Sequence, residues 1–131
     1  MFVRTTNVYV YCGKYSLLIR RSATDEQLPL FWESPGGHTD ILTPIHNLKL
    51  VRAEAARELE EETGIRVRPQ QLKPMFFTGT HASFRLDLSS LPRIELSSEH
   101  DRFSWIDPLD NTSHPTRLRP EVKRYFKRLR P

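Results

Sequence analysis

The stretch NVYVYC sets Val8, Val10 and Cys12 in alternation with Tyr9 and Tyr11, the period-two pattern of a strand with two different faces. Gly13-Lys14 supplies a two-residue turn with glycine first, and YSLLIRR returns as the second arm of a hairpin. SATDEQLP is polar and loop-like. LFWESPGG is a short aromatic segment closed by Pro35, Gly36 and Gly37, whose glycines allow tight backbone geometry and close approach of a ligand. HTDILTPIHN carries neither period and reads as irregular. Thr43-Pro44 offers an N-cap followed by proline at the first helical position, and Asn47 is a second candidate cap. Leu48, Val51, Ala55 and Leu59 then recur at helical spacing, predicting a helix that ends near Thr63 with Gly64 as its C-terminal cap.

Beyond the helix, IRVRP reads as a short strand, with further strands around PMFFTGT, ASFRLDL and DRFSWID. Phe103 and Trp105 share one face of the last. A final helix starts near Pro120, with Leu118, Val122, Tyr125, Phe126 and Leu129 as its buried face. Strands flanking one long helix, with a second helix closing the chain, give a mixed α/β or α+β class and one domain over residues 1–131. The length of 131 residues suits a single core.

Composition narrows the setting. Apolar runs such as SLLI and MFF are far too short to cross a bilayer, and MFVRTTNVYVYC lacks the charged region, apolar stretch and cleavage site of a signal peptide. Cys12 is the only cysteine, which excludes an internal disulfide and a cysteine zinc cage. A reducing, cytoplasmic location is expected, with no membrane partner. The net charge of +4 favours anionic partners, nucleotide or nucleic acid. The basic segment RLRPEVKRYFKRLRP surrounds an amphipathic stripe; a solvated face is its plain reading and RNA contact its sharper one.

Against that basic background, RAEAARELEEETGI carries five glutamates. Glu58, Glu61 and Glu62 are spaced by three and four residues and share a helical face, while Glu60 projects elsewhere. Like-charge pairs at such spacing cost roughly 0.2–0.5 kcal/mol each. Acids near a helix C-terminus oppose the macrodipole by a further ~0.3–1 kcal/mol. A solvated acidic helix accounts for the acids alone, but several local rules broken together point to a site. The obvious compensation is a hard divalent ion held through oxygen, such as Mg²⁺ or Mn²⁺. Arg57 can reach Glu61 or Glu54 along the helix and hold a carboxylate in place.

RELEEETGI resembles the core of the Nudix hydrolase signature, G-x5-E-x7-R-E-U-x-E-E-x-G-U with U a bulky aliphatic residue. Arg57, Glu58, Leu59, Glu61, Glu62, Gly64 and Ile65 match its second half. WESPGG is similar to the tryptophan and Pro-Gly-Gly that precede this helix in the family. SLLIRR and EHDRFSWID look like the strands on either side. Two departures stand out. The signature places thirteen residues between its glycine and arginine, whereas nineteen lie between Gly37 and Arg57, with the extra residues placed in HTDILTPIHNLK. Its first glutamate falls on Lys49, and Asp40 is a nearby source of negative charge.

The resemblance implies a Nudix-like α/β/α sandwich with a mixed sheet, and metal-dependent attack of water on a phosphoanhydride. It implies Glu58, Glu61, Glu62 and the backbone carbonyl of Gly36 as metal ligands, with Arg57 orienting the glutamates. Glu61 or Glu58 would accept the proton from water, with Glu99 a further candidate beside the plain reading of an exposed loop acid. Of Arg20 and Arg21, strand alternation turns one toward the pocket, and Arg20 continues the parity of Leu18. Arg20, Phe31, Gly37 and His38 are the candidate substrate contacts, each with surface charge, packing or loop placement as its alternative. A (deoxy)nucleoside triphosphate, cleaved to monophosphate and pyrophosphate, is the substrate expected of so short a chain. Dinucleoside polyphosphates, nucleotide sugars and capped RNA ends are alternatives, as is a nucleotide- or RNA-binding module without turnover. Oligomeric state is open, a homodimer included.

Overall fold

A computed structural model describes residues 2–44 and 46–130, and for residues 40–42 the backbone alone. In chain order the elements are β1 (Phe2–Cys12), β2 (Tyr15–Arg21), β3 (Trp32–Glu33), β4 (Gly36–Pro44), α1 (Leu48–Thr63), β5 (Lys73–Thr78), β6 (His81–Leu88), β7 (His100–Ile106) and α2 (Pro120–Arg128). Short 3-10 turns occupy Pro69–Gln71 and Asn111–Ser113. The strands form one mixed sheet in the order β3-β2-β1-β6-β5, with β4 also paired to β1 and β7 to β2. β1 is the hub, antiparallel to β2 and β4 and parallel to β6.

Alternation along β1 sorts the core into two layers. Val8 and Val10, with Leu17, Ile19, Phe84 and Leu86, face α1 and bury against Val51, Ala55 and Leu59. Tyr9 and Tyr11, with Leu18, face the other way and bury against Val122, Tyr125 and Phe126 of α2. Tyr9 and Tyr125 stack with ring centroids 3.9 Å apart, and the hydroxyls of Tyr11 and Tyr125 are 2.8 Å apart. A helix on each face of a mixed sheet is the sandwich expected. Among the described residues, no helix is long and apolar enough to cross a membrane.

The punctuation of α1 follows local chemistry. Asn47 Oδ1 accepts the N–H of Leu50, and Gly64 closes the helix at φ 77°, donating its N–H to Glu60. The last turn contains no basic residue. Its free carbonyls are met instead by backbone: Glu95 N–H donates to Thr63 O at 2.8 Å and Ser97 N–H to Glu62 O at 3.3 Å.

Four expectations are corrected. HTDILTPIHN is not irregular, because residues 36–44 form β4, paired with β1 from Asn7↔Gly36 to Phe2↔Pro44 across one register shift. The extra residues therefore extend a strand pair. Thr43-Pro44 is consequently the end of a strand, and Asn47 is the helix cap. IRVRP is not a strand: it lies outside every ladder and leads into the 3-10 turn at Pro69. Leu129 follows the last turn of α2 and is 37% exposed, whereas Leu118, Val122, Tyr125 and Phe126 are buried as expected.

Candidate active site

The strand register assembles the site before any side chain is considered. On β2, Ile19 lies opposite Glu33 of β3 and Arg21 lies opposite His100 of β7. Ile19 faces α1, so Arg21, Glu33 and His100 share that face, next to the C-terminal half of α1. The turn after β3 is clamped to β1 by the Val8 N–H, which donates to Pro35 O at 2.8 Å. The segment before β7 is held by the same Glu95 and Ser97 amides that close α1. Three elements thus deliver Glu33 and Gly36-Gly37, Glu58, Glu61 and Glu62, and Glu99 and His100 to one place.

Gly36 and Gly37 do not adopt left-handed φ, unlike Gly13, Gly64 and Gly79. What they supply is the absence of a Cβ. At Gly37 that atom would lie 2.7 Å from Glu58 Oε2; at Gly36 it would strike the Thr6 carbonyl and lie 2.7 Å from Asn7 Cα. The close approach is made by the protein's own Glu58 and by β1.

Arg57 organises the outer acids. Its Nη1 donates to Glu61 at 2.7 Å, and its Nη2 donates to Glu54 at 2.7 Å and to Glu58 at 3.2 Å. Glu60 leaves this face and pairs with Arg66 at 3.3 Å. Glu62 lies deeper, 5% exposed, with Oε1 accepting the Gly36 N–H at 2.5 Å. Among the described residues no lysine or arginine reaches it. Burial pushes its carboxyl up to about 9, against the Gly36 N–H and with the charges of Glu33, Glu58 and Glu99 adding to the rise. Burial also raises Glu58, opposed by Arg57 and reinforced by Glu61 and Glu99.

Two residues that the sequence did not single out lie at the centre. His100 is buried, with Nε2 2.8 Å from Glu33 Oε2 and Nδ1 3.7 Å from Glu62 Oε2. Glu33 also meets Arg21 Nη1 at 3.3 Å and Arg119 Nη1 at 3.1 Å. Burial is the largest influence on Glu33 and raises its pKa. The His100 hydrogen bond and the charges of Arg21, His100 and Arg119 outweigh it, leaving the group below its ordinary value. An ionised Glu33 can only accept, so Nε2 carries a proton, and in the neutral ring the lone pair is then on Nδ1. The local signals were a glutamate directly before Ser-Pro-Gly-Gly and a histidine between two acids in EHD.

The other candidates are dispersed. Alternation sends Arg20 to the opposite face from Arg21. There it holds Asp101 through two hydrogen bonds of 2.9 and 3.0 Å and lies 6.0 Å from the centre of the Trp32 ring. It lines a cavity of about 340 Å³ with Leu30, Trp32, Pro115, Thr116 and Arg117. The aromatic there is Trp32; Phe31 is half-buried in the preceding loop. His38 is exposed on β4 opposite Thr5, Lys49 is exposed in the first turn of α1, and the Asp40 side chain lies outside the described residues. Glu99 is exposed, with its carbonyl accepting the Ser22 N–H at 2.9 Å and its charge felt at Glu58 and Glu62.

These donors fit a divalent cation. A buried carboxylate without a cationic side chain lies beside an imidazole nitrogen that has no hydrogen-bond partner, and Glu33, Glu62 and His100 each offer a ligand atom within 4.8 Å of the others.

Comparison with known proteins gives the lineage. No curated protein matches the chain. Among solved structures, the MutT NUDIX hydrolase from Burkholderia pseudomallei superposes with a TM-score of 0.71 at 20% identity, covering 97% of this chain and 98% of that one. The MutT protein from Methanosarcina mazei Go1 gives 0.69 at 26% identity, covering 96% and 91%. The NUDIX domain of Shewanella oneidensis NrtR, complexed with ADP ribose, gives 0.72 at 14% identity, covering 95% and 84%. The family model described as NUDIX domain matches residues 1–129, and with nearly the whole chain inside it, this protein belongs to the NUDIX family of hydrolases.

Proposed function

We propose that this protein is a divalent-metal-dependent pyrophosphohydrolase acting on a nucleoside diphosphate-linked substrate, foremost a (deoxy)nucleoside triphosphate converted to monophosphate and pyrophosphate. The observation that carries this reading is Glu62, buried with no lysine or arginine reaching it among the described residues and with the charges of Glu33, Glu58 and Glu99 bearing on it. Glu58, Glu61, Glu62 and the Gly36 carbonyl are the proposed ligands, with Mg²⁺ the expected ion and Mn²⁺ a substitute. Held by these residues, such an ion would neutralise phosphate charge and lower the pKa of a water.

The chain's own residues supply the rest. Arg57 holds Glu54, Glu58 and Glu61 at fixed positions, so a proton acceptor stays aimed at the phosphate. Glu61, the more exposed of the proposed ligands at 55% of its side chain, is the preferred acceptor, with Glu58 and Glu99 as the other candidates. Gly37 keeps the path to Glu58 clear of side chain, and His38 follows it on the rim. On the opposite face of the sheet Arg20, already paired with Asp101, and Phe31, in the loop before β3, would meet only a part of the substrate that extends away from the acids.

The test is incubation with a nucleotide panel in Mg²⁺ or Mn²⁺, products separated by chromatography, with Glu61→Gln as control. Turnover of a triphosphate to monophosphate and pyrophosphate, lost in the variant, is expected. Binding without turnover of any substrate would sink the hydrolase reading. Undiminished turnover by Glu61→Gln would sink the assignment of the acceptor.

A further inference from the structure

The candidate site contains a nitrogen donor that an all-oxygen ion does not use. The His100 side chain is 1% exposed, and its Nδ1 has no hydrogen-bond partner among the described residues. Its Nε2 is committed to Glu33, and Glu33 is itself held by Arg21 and Arg119. That arrangement holds the ring with Nε2 on Glu33 and Nδ1 on the side of Glu62, so the neutral ring offers its Nδ1 lone pair there. An O–H···N hydrogen bond does not span the 3.7 Å from Nδ1 to Glu62 Oε2. An ion does: metal–nitrogen and metal–oxygen bonds of about 2.0–2.2 Å sum to more than that separation. A bent arrangement therefore reaches both atoms where they stand.

We infer that His100 Nδ1 and Glu62 Oε2 bind one divalent ion together, and that Glu33 stands behind His100 as its positioning carboxylate. This is the carboxylate–histidine–metal relay that holds ligating imidazoles in other metal sites. The inference rests on the divalent-ion reading of the preceding section and replaces its expected Mg²⁺ at this inner position. Mg²⁺ favours oxygen and keeps its waters, whereas imidazole suits first-row transition ions. The inner position therefore selects Mn²⁺ or Zn²⁺ over Mg²⁺.

The test reads coordination directly. The full chain, labelled with ¹⁵N-histidine, is loaded with one equivalent of Mn²⁺ and studied by pulsed electron paramagnetic resonance. A directly bonded histidine nitrogen coupling is expected, together with its loss in His100→Asn. Glu33→Gln should weaken Mn²⁺ binding by about 10–100-fold. Mn²⁺ bound with no histidine coupling, or a coupling that persists in His100→Asn, overturns the inference. If His100→Asn does not fold, Zn²⁺ titration of the unmutated protein followed by imidazole ¹H–¹⁵N correlation decides. A shift at Nδ1 of His100 with its Nε2–H retained supports the site, and shifts confined to the exposed His38 refute it. The outcomes separate from those for the hydrolase reading. Histidine coupling without turnover keeps the site and sinks the enzyme, and turnover without coupling does the reverse.

Discussion

Glu62→Gln exchanges function for stability in a way that can be measured. Glutamine keeps an oxygen for the Gly36 N–H and removes an acid that burial and Glu33, Glu58 and Glu99 oppose. In the folded, metal-free protein the Glu62 carboxyl is pushed up to about 9 from an ordinary 4.5. Between those values the folded state retains a proton that the unfolded state has released. The associated stability is complete below about pH 4.5 and declines as pH rises toward 9, by ~1.36 kcal/mol per unit. From pH 5 to pH 8 this amounts to about 4 kcal/mol as an upper value, because neighbouring acids relax when one is neutral. Against a domain stability of ~5–15 kcal/mol that is a large change.

Urea unfolding at the two pH values, in chelator, gives the double difference between wild type and Glu62→Gln. The variant should gain on wild type by a few kcal/mol between pH 5 and pH 8, with the titrations of groups remote from Glu62 cancelling to first order. Addition of a divalent ion should narrow that gap. Ligand at a hundred times its dissociation constant adds ~2.7 kcal/mol to a protein that binds it, and the variant lacks the charged ligand. Parallel pH profiles for the two proteins would refute the buried, uncompensated state assigned to Glu62.

Three further outcomes are expected. Gly37→Ala meets only the movable end of Glu58, so it should unfold near wild type yet lose turnover at least tenfold; Gly36→Ala meets the backbone of Thr6 and Asn7 and should lose ~1–3 kcal/mol in urea titrations. Leu59→Ala, truncating a side chain with no exposure beneath the acidic face of α1, should lose ~2–5 kcal/mol by the same measurement. His81 is half-buried, with Nδ1 2.7 Å from Thr5 Oγ1 and Nε2 2.7 Å from Asn7 Oδ1, and its partial desolvation lowers its pKa below 6.5. Its contribution to stability is present above pH 6.5 and lost as pH falls through the lower folded value, so an NMR titration should place its midpoint below 6.5, and His81→Gln should flatten that part of the stability profile.

How much of this was legible in the sequence depended on whether the cause was local. The body and end of α1 were readable because Val51, Ala55 and Leu59 repeat at the helical period and Gly64 relieves a left-handed cap. β4 was not, because what makes residues 36–44 a strand is the backbone of β1 beside them. Pro44 looked like a helical first residue, yet proline is equally at home at the end of a strand, where it meets Phe2. IRVRP failed in the opposite direction: its alternation is real and Ile65 is buried, but no neighbouring strand offers it a partner. Leu129 continues the apolar spacing of α2 one position past its last hydrogen-bonded turn.

The same distinction explains why the acidic cluster was visible and its inner partners were not. Glu58, Glu61 and Glu62 sit within one and a half turns of helix, so their proximity is a property of spacing alone. Glu33 and His100 are 67 residues apart, and no spacing rule joins them. They meet because β2 pairs with β3 through Ile19↔Glu33 and with β7 through Arg21↔His100, so that two residues of one parity on one strand recruit a carboxylate and an imidazole to one face. Arg21 belongs to that argument as well: it pairs with Glu33 because its own parity matches Ile19, while Arg20, one residue earlier, is carried to Trp32 and the opposite cavity. The register of β2 therefore decides what surrounds Glu62. A one-residue slip of that strand would remove the imidazole and its supporting carboxylate while leaving every residue of the helix motif in place.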